Sequence, residues 1–304
     1  MNLPLPKTYQ DFIATLLPNE ATQWLKSASR ILDSAVSEFQ LTELSLVDNL
    51  TYNIVCYATS NIYGPVVLKI CLPNFEAIQE MQALQLYDGH FACRCYYQNT
   101  TDRLLILERI LPGTTLNKVP NRHKRIAIFA DLATNLLLPI NKAVTLPAYY
   151  EVYQRALSKV EWTKPAYAAM KENILLAGSY YQLIQQSSSA LYLLHGDLHH
   201  DNILLAADGY RAIDPQGFIG EKVLETARFC ENELAKQTID QANIRQIIDL
   251  LAKHFKEEPS AIALAWFVDF VLSTLWDIED NCPETLVKQN LAVLQLLNKY
   301  LTNN

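Results

Sequence analysis

The spacing of apolar residues divides the 304-residue chain into a mixed first part and a helical second part. Apolar side chains recur at three- and four-residue steps over residues 19–39, which predicts an amphipathic helix. Short apolar runs then predict about five antiparallel strands, interrupted by a helix over residues 75–87. The predicted strands cover residues 41–46, 54–59, 66–71, 93–97 and 104–108.

After Pro112 and Gly113, which interrupt regular structure, the pattern becomes mainly helical. A strand over residues 191–194 and a hairpin around Asp208 and Gly209 interrupt the helices. The chain is therefore predicted to be an α+β protein of two lobes, a sheet lobe over residues 1–110 and a helical lobe over residues 111–304. The predicted helices of the second lobe cover residues 122–138, 148–160, 168–185, 223–235, 239–254, 259–278 and 283–300.

The segment HGDLHHDN, residues 195–202, connects the single strand to the hairpin, and Asp214 follows the hairpin. Transfer of a phosphoryl group requires positioning and charge neutralisation more than covalent chemistry by the protein. Asp197 can accept a hydrogen bond, and later the proton, from an attacking hydroxyl. Asn202 and Asp214 offer the hard oxygen ligands that Mg²⁺ prefers. The segment therefore predicts a catalytic base at Asp197 and a metal site at Asn202 and Asp214.

Two other interpretations of this segment are a polar turn that only caps strands and a zinc site. The segment contains four residues of types that commonly bind zinc, namely His195, His199, His200 and Asp201. No partner pair of Cys or His lies at the spacing of known zinc sites. His195 and His199 are instead expected to support the loop through hydrogen bonds.

The segment is similar to the His-Gly-Asp-x-x-x-x-Asn loop of the aminoglycoside phosphotransferase and choline kinase superfamily. More narrowly, the chain resembles the aminoglycoside/hydroxyurea resistance kinases, the group that contains streptomycin 6-phosphotransferases. The matching segments are residues 197–200, 213–215, 220–221, 108–114 and 265–276. The resemblance implies a bilobal protein-kinase-like fold that uses ATP and Mg²⁺ to phosphorylate a hydroxyl group.

Lys69 lies in the apolar run over residues 65–70, where a cation can reach the α- and β-phosphates of a nucleotide. The alternative is a charge that keeps an edge strand soluble. Glu80, in the predicted helix over residues 75–87, is the expected partner of Lys69, and Glu76 is the competing choice. The resembling family carries this carboxylate in a Glu-x-x-Ala-Leu segment, which residues 80–84 match.

Two further features concern the nucleotide. Residues 46–53, the expected phosphate-covering loop, contain no glycine. The Asn and Thr residues of this loop can instead supply side-chain hydrogen-bond donors and adopt turn conformations. Residues 104–110 are predicted to form the last strand of the first lobe and a hinge, where the backbone from Glu108 to Ile110 would bind adenine.

The helices after the hairpin are the expected walls of an acceptor site. Asp269 and Glu231 are the predicted acceptor contacts, and Trp266 and Trp276 lie nearby in the sequence. Carboxylates with indoles would suit a cationic acceptor. Asp269 is favoured because a charge inside an apolar helix requires a structural or functional reason. The opposing interpretation is a solvated acidic face over an ordinary tryptophan core.

Composition excludes several classes of protein. The net charge of −7 argues against nucleic acid as the main partner. No uninterrupted apolar run approaches ~20 residues, so no membrane span is expected. Residues 1–10 lack the pattern of a secretory signal, and six Cys within or near apolar runs favour a reducing cytoplasm. The sequence does not indicate the oligomeric state.

The leading hypothesis is thus an ATP- and Mg²⁺-dependent O-phosphotransferase acting on a small, aminoglycoside-like acceptor at the 6-hydroxyl. A housekeeping kinase of a sugar, a choline-like compound or another hydroxylated metabolite is the first alternative, because the scaffold is shared. A nucleotide-binding protein without catalytic activity is the second, and the glycine-free loop motivates it.

Overall fold

A computed structural model describes residues 4–48, 50–73, 76–140 and 144–303. The chain forms two compact units, of which the first ends at Gly113 and the second begins at Thr114. Both units mix helices with antiparallel sheet, so the predicted α+β class is confirmed. The assignment of nucleotide binding to residues 1–110 and of acceptor binding to residues 111–304 remains a prediction.

The first unit is built on one five-stranded antiparallel sheet with the strand order β1-β2-β3-β5-β4. The apolar runs predict all five strands, and β4 begins two residues later than the pattern indicates. The elements are α1 (Lys7–Leu16), α2 (Ala21–Glu38), β1 (Leu41–Leu46), β2 (Ile54–Ser60), β3 (Gly64–Ile70), α3 (Glu76–Tyr87), β4 (Cys95–Asn99) and β5 (Leu104–Glu108).

The core of the first unit forms between α2 and the sheet. Burial alternates along β2, where Ile54, Cys56 and Ala58 face inward. This face joins the buried stripe of α2 in one hydrophobic cluster, as the periodicity over residues 19–39 predicts. The predicted start of α3 at Phe75 and the loop residue Asn49 lie outside the described residues.

Helix α1 is an addition that the sequence analysis does not predict. It buries Tyr9 and Ile13, and the Tyr9 hydroxyl donates a hydrogen bond to the Tyr52 carbonyl oxygen at 3.0 Å. The Phe12 ring meets the Tyr52 ring edge-on at 5.7 Å. The helix therefore packs against the connection between β1 and β2.

The second unit combines seven helices, among the described residues, with two small sheets of order β10-β9-β6 and β11-β8-β7. Strand β6 (Pro112–Thr115) begins in the last residues of the first unit and continues into the second. The other elements of the second unit are α4 (Arg122–Leu136), β7 (Leu138–Pro139), α5 (Tyr149–Ser158), α6 (Pro165–Ser187), β8 (Tyr192–Leu194), β9 (Ile203–Ala206), β10 (Gly209–Ala212), β11 (Phe218–Gly220), α7 (Ala227–Leu234), α8 (Gln241–Phe255), α9 (Pro259–Glu279) and α10 (Glu284–Asn303).

Helix α9 is the centre of the second unit and packs against α5, α6, α7, α8 and α10. Trp266 and Phe267 are fully buried in it. Within the part of the chain that the structure describes, α9 is the one helix long and apolar enough to cross a membrane. Most of that stretch is covered by its neighbours, so its apolar composition fits the core of this unit.

One predicted helix of the second unit is divided differently. The pattern predicts a single helix over residues 223–235, but the segment begins as a 3₁₀ turn, Lys222–Thr226, and continues as α7. The tighter turn carries the buried side chain of Glu225, whose carboxylate bonds to the loop after β8. Strands β6, β7 and β11 span four residues or fewer, which is too short for an alternating pattern to reveal them.

Candidate active site

The loop after β8 and the hairpin of β9 and β10 bring the predicted catalytic and metal-binding residues together in the second unit. Asn202 ends a 3₁₀ turn, His200–Asn202, that leads directly into β9. The Ile213 amide donates to the Asn202 carbonyl oxygen at 3.0 Å, which places Asp214 beside the start of the hairpin. The Gln216 amide then donates to the His195 carbonyl oxygen at 2.8 Å, which closes the loop on itself.

The side chain of Asn202 is oriented by Asp197. Its amide nitrogen lies 2.9 Å from the Asp197 carbonyl oxygen and 3.3 Å from Asp197 Oδ2. Because both partners are acceptors, the amide nitrogen must face them and the Asn202 side-chain oxygen faces away. That oxygen is the atom that a metal ion would use, so the arrangement fits the predicted role of Asn202.

Burial raises the pKa of Asp197 above its ordinary value. The guanidinium of Arg228 opposes this rise, and the carboxylates of Asp269 and Asp214 add to it. Asp214 is thus close enough to Asp197 to affect its pKa.

His195 supports the loop. Its Nε2 lies 2.8 Å from the Ile213 carbonyl oxygen, and its Nδ1 accepts from the Asp197 amide at 3.3 Å. Burial lowers the pKa of His195 to about 4, so the ring is neutral near pH 7 and carries its proton on Nε2. The Nδ1 of His199 accepts from the Asp201 amide, and its Nε2 lies 3.6 Å from Asp197 Oδ2.

Gly196 adopts a backbone conformation that side chains disfavour, with φ of +81°. A Cβ atom at this position would lie 2.5 and 2.7 Å from two ring carbons of Phe218. The close approach of β11 to the loop therefore requires glycine immediately before Asp197.

Glu225 is a site residue that the sequence analysis does not identify. It is only 3 % exposed, and its Oε2 accepts from the His195 amide at 2.7 Å, with a further bond from the Gly196 amide. Burial raises the pKa of Glu225 to about 8, although the two amide bonds oppose the rise. The sequence signal that could have identified Glu225 is its position directly after the apolar residues Val223 and Leu224.

The predicted acceptor residues Asp269 and Glu231 both lie beside Arg228, which the sequence analysis also misses. The Arg228 Nη2 is 3.6 Å from Asp269 Oδ2, and its Nη1 is 3.2 Å from Glu231 Oε2. Burial raises the pKa of Glu231 to about 7, and the guanidinium opposes the rise. Asp269 is 6 % exposed, and its Oδ1 accepts from the Tyr149 hydroxyl at 2.8 Å.

Glu233, another acidic residue of α7, faces the interior. Its carboxylate receives a bidentate bond from Arg125, and its Oε2 lies 2.8 Å from His200 Nε2. The His200 ring stacks on Phe229 at 4.4 Å. This buried group connects the loop over residues 195–202 to α4 and α7.

In the first unit, Lys69 and Glu80 form the predicted pair. The Lys69 ammonium lies 2.7 Å from Glu80 Oε1, and both side chains are buried. Strand β3 lies between β2 and β5, so the interpretation of Lys69 as an edge-strand charge is wrong. Glu80 faces inward on α3, whereas Glu76, one turn earlier, is exposed.

At the predicted hinge, the amides of Glu108 and Arg109 are already used, since they donate to the carbonyl oxygens of Arg94 and Pro65. Within the described residues, the Ile110 amide has no hydrogen-bond partner. In the glycine-free loop, the Asn53 side chain accepts from the Leu72 amide at 3.0 Å.

Comparison with known proteins identifies the family of this chain. A family model described as aminoglycoside/hydroxyurea antibiotic resistance kinase matches residues 57–281. The streptomycin 6-kinase of Streptomyces griseus is 23 % identical over 239 residues, which are 76 % of this chain and 76 % of that protein. The streptomycin 3''-kinase of Klebsiella pneumoniae is 36 % identical over 175 residues, 55 % of this chain and 61 % of that protein.

A solved structure of a choline/ethanolamine kinase family protein from Mesorhizobium loti has the same fold. Its TM-score is 0.66 at 14 % sequence identity, and the match covers 88 % of this chain and 94 % of the other. The fold is therefore the kinase-like fold of this superfamily, and the protein is a phosphotransferase with a hydroxyl group as acceptor. Within that class, the chain belongs to the aminoglycoside/hydroxyurea antibiotic resistance kinase family.

Proposed function

We propose that this protein uses Mg²⁺ and ATP to transfer a γ-phosphoryl group to a hydroxyl of a small, aminoglycoside-like acceptor, at the 6-position. The hydrogen bond between Asn202 and Asp197 carries the proposal, because it orients a base and a metal ligand with one contact. Asp214 follows on the same hairpin, so three oxygen-bearing side chains would serve one reaction.

Asp197 would accept the hydrogen bond of the attacking hydroxyl and then its proton. Its raised pKa makes it a stronger base than an exposed carboxylate, because burial disfavours its charged form. His195 accepts a hydrogen bond from the Asp197 amide and so fixes the backbone of the proposed base.

The residues present fit a magnesium ion. The Asn202 side-chain oxygen faces away from Asp197, and Asp214 supplies a carboxylate at the end of the hairpin. These two residues would hold Mg²⁺, which usually completes its shell with water and phosphate oxygens. The bound ion would neutralise charge on the phosphates of the nucleotide.

The first unit supplies the proposed nucleotide contacts. The Glu80 carboxylate fixes the ammonium of Lys69, which would bind the α- and β-phosphates. The Ile110 amide would donate to adenine, and this assignment refines the expected hinge of Glu108 to Ile110.

The proposed acceptor class follows from the family and from two relatives, each of which is named a streptomycin kinase. The net charge of −7 also suits a cationic acceptor, and a cytoplasmic setting is proposed with it. Because the two relatives are named for different hydroxyls, the site of phosphorylation has to be measured.

The purified full-length protein should be incubated with Mg²⁺-ATP and a panel of aminoglycosides, sugars and amino alcohols. ADP release and mass spectrometry of the product, followed by NMR of the phosphorylated position, identify the reaction. We expect product from streptomycin at the 6-hydroxyl. Asp197→Ala should abolish transfer while nucleotide still binds, whereas Arg245→Met, an exposed change on α8, serves as a control.

Each alternative predicts another result of the same panel. Product from sugars or amino alcohols alone would indicate a housekeeping metabolite kinase. The absence of product with every acceptor, together with measurable nucleotide binding, would indicate a protein without catalytic activity. Normal turnover by Asp197→Ala would refute the role of Asp197.

A further inference from the structure

The guanidinium of Arg228 lies where α7, α9 and the loop over residues 195–202 meet. Its Nε is 3.6 Å from Asp197 Oδ1, and its Nη2 is 3.6 Å from Asp269 Oδ2. Its Nη1 donates to Ser273 Oγ at 3.1 Å and lies 3.2 Å from Glu231 Oε2. Thus each nitrogen of this group faces a different partner.

The surroundings leave Arg228 little freedom to move. Its side chain is 14 % exposed, and its guanidinium carbon lies 5.8 Å from the centre of the Trp276 ring. Asp269 is in turn fixed by the Tyr149 hydroxyl, whose ring packs against Tyr181 and Phe218. Hydrogen bonds from Nη1 to Glu231 and Ser273 anchor the guanidinium. Because the group is planar, this anchor also fixes the direction of Nε, which forms an ion pair with Asp197 at 3.6 Å without a hydrogen bond.

We propose that Arg228 is a positioning residue for the transfer reaction and acts through the carboxylate of Asp197. This proposal rests on the proposed function. Arg228 forms an ion pair with Oδ1 of Asp197, while Asn202 donates a hydrogen bond to Oδ2, so the two contacts together favour one rotation of the carboxylate. A base held in one orientation presents its lone pair to the acceptor hydroxyl without a further entropic cost.

The same geometry gives Asp269 a different role from that of an acceptor contact. Its Oδ1 accepts from Tyr149, its Oδ2 faces Arg228, and the side chain is almost completely buried. Its Oδ2 is buried beside the guanidinium and has no hydrogen-bond partner among the described residues, so an acceptor could reach it only if Arg228 moved away. We therefore assign Asp269 to holding Arg228, which explains a charge inside the apolar helix α9.

The charges support this assignment. Asp197, Asp269 and Glu231 share one guanidinium, and the carboxylates would repel each other without it. Removal of Arg228 would allow the Asp197 side chain to turn away from Asp269. The expected consequence is a misplaced base.

The test compares Arg228→Met and Arg228→Lys with the exposed Arg245→Met control in steady-state kinetics on whichever acceptor the wild-type protein phosphorylates. We expect Arg228→Met to lower kcat by about 100-fold, with the KM values of nucleotide and acceptor nearly unchanged. Arg228→Lys should recover part of kcat, because an ammonium can pair with Asp197 but cannot face all the partners at once. Arg245→Met should retain wild-type kcat.

Asp269→Asn separates positioning from substrate binding. We expect a smaller loss of kcat than in Arg228→Met, with an unchanged acceptor KM. A raised acceptor KM at unchanged kcat in Asp269→Asn or Arg228→Met would overturn the proposal, since that residue would then bind the acceptor. Wild-type kcat in Arg228→Met would overturn it too.

Thermal unfolding with and without nucleotide shows whether each variant is folded. If Arg228→Met does not fold, the kcat and KM values of Arg228→Lys are compared with those of the wild-type protein instead. Failure of the wild-type protein to phosphorylate any acceptor refutes the proposed function, whereas transfer that is insensitive to Arg228 refutes only this inference.

Discussion

Gly196→Ala tests whether the stability of the loop over residues 195–202 depends on its contact with Phe218. The φ of +81° is a left-handed conformation, which costs an L-residue about 1–2 kcal/mol. The new Cβ would lie 2.5 and 2.7 Å from the Phe218 ring carbons, and overpacking of this kind typically costs about 1–3 kcal/mol. The free energy of unfolding should therefore fall by about 2–5 kcal/mol.

Gly64→Ala is the matched control. Gly64 has nearly the same φ, +78°, but no atom lies within 4 Å of the position that a Cβ would occupy there. This variant should thus show only the backbone cost. Gly196→Ala combined with Phe218→Leu should recover part of the loss, because the shorter side chain removes the ring carbons.

Urea unfolding followed by tryptophan fluorescence measures these differences. Trp162, Trp266 and Trp276 report on the second unit, which contains the loop, and Trp24 reports on the first unit, which contains Gly64. Phosphate transfer by Gly196→Ala should also fall, since the substitution displaces the backbone next to Asp197, the proposed base. Equal losses of stability in Gly196→Ala and Gly64→Ala would refute the reasoning, because the ring contact would then contribute nothing.

Four further predictions concern other parts of the molecule. Burial raises the pKa of Glu225 to about 8, so its contribution to stability is present below about pH 4.5 and is lost as the pH rises through 8. In urea unfolding at pH 5 and pH 9, the free energy of unfolding should therefore fall less between the two pH values in Glu225→Gln than in the wild-type protein. Equal decreases in the two proteins would contradict this prediction. Lys69→Met and Glu80→Gln should each raise the KM for ATP by roughly tenfold with little effect on the acceptor KM, because both remove the fixed ammonium; a change confined to the acceptor KM would be inconsistent with the pair. Asp214→Ala should require far more Mg²⁺ for activity, and an unaltered Mg²⁺ titration would remove Asp214 from the metal site. Gly178→Ala in α6, where a Cβ meets no atom within 4 Å, should stabilise the protein by about 0.5–1 kcal/mol in the same urea assay, and destabilisation would contradict that expectation.

The parts of the molecule that are predictable from the sequence depend on short-range patterns. Helix α2 and the strands of the first sheet follow from periodicity, and Lys69 meets Glu80 because a strand and the next helix are close in sequence. Asp197, Asn202 and Asp214 come together because one loop and one hairpin connect them.

The missed features depend on contacts between distant segments. Arg228 reaches Asp197 from a different element, and Asp269 reaches Tyr149 across 120 positions, so no local spacing reveals either contact. Helix α1 is short, and a helix of this length gains most of its stability from packing. The buried Glu225 requires knowledge of which backbone amides lie beside it.

The central position of α9 has a consequence for biosynthesis. The first unit uses one continuous segment and can fold while the ribosome is still translating the rest of the chain. Helices α5, α6, α7 and α8 all pack against α9, yet each is synthesised before it. The faces that these helices bury against α9 therefore lack their partner until residue 279 leaves the exit tunnel, and during this interval of translation they expose apolar surface.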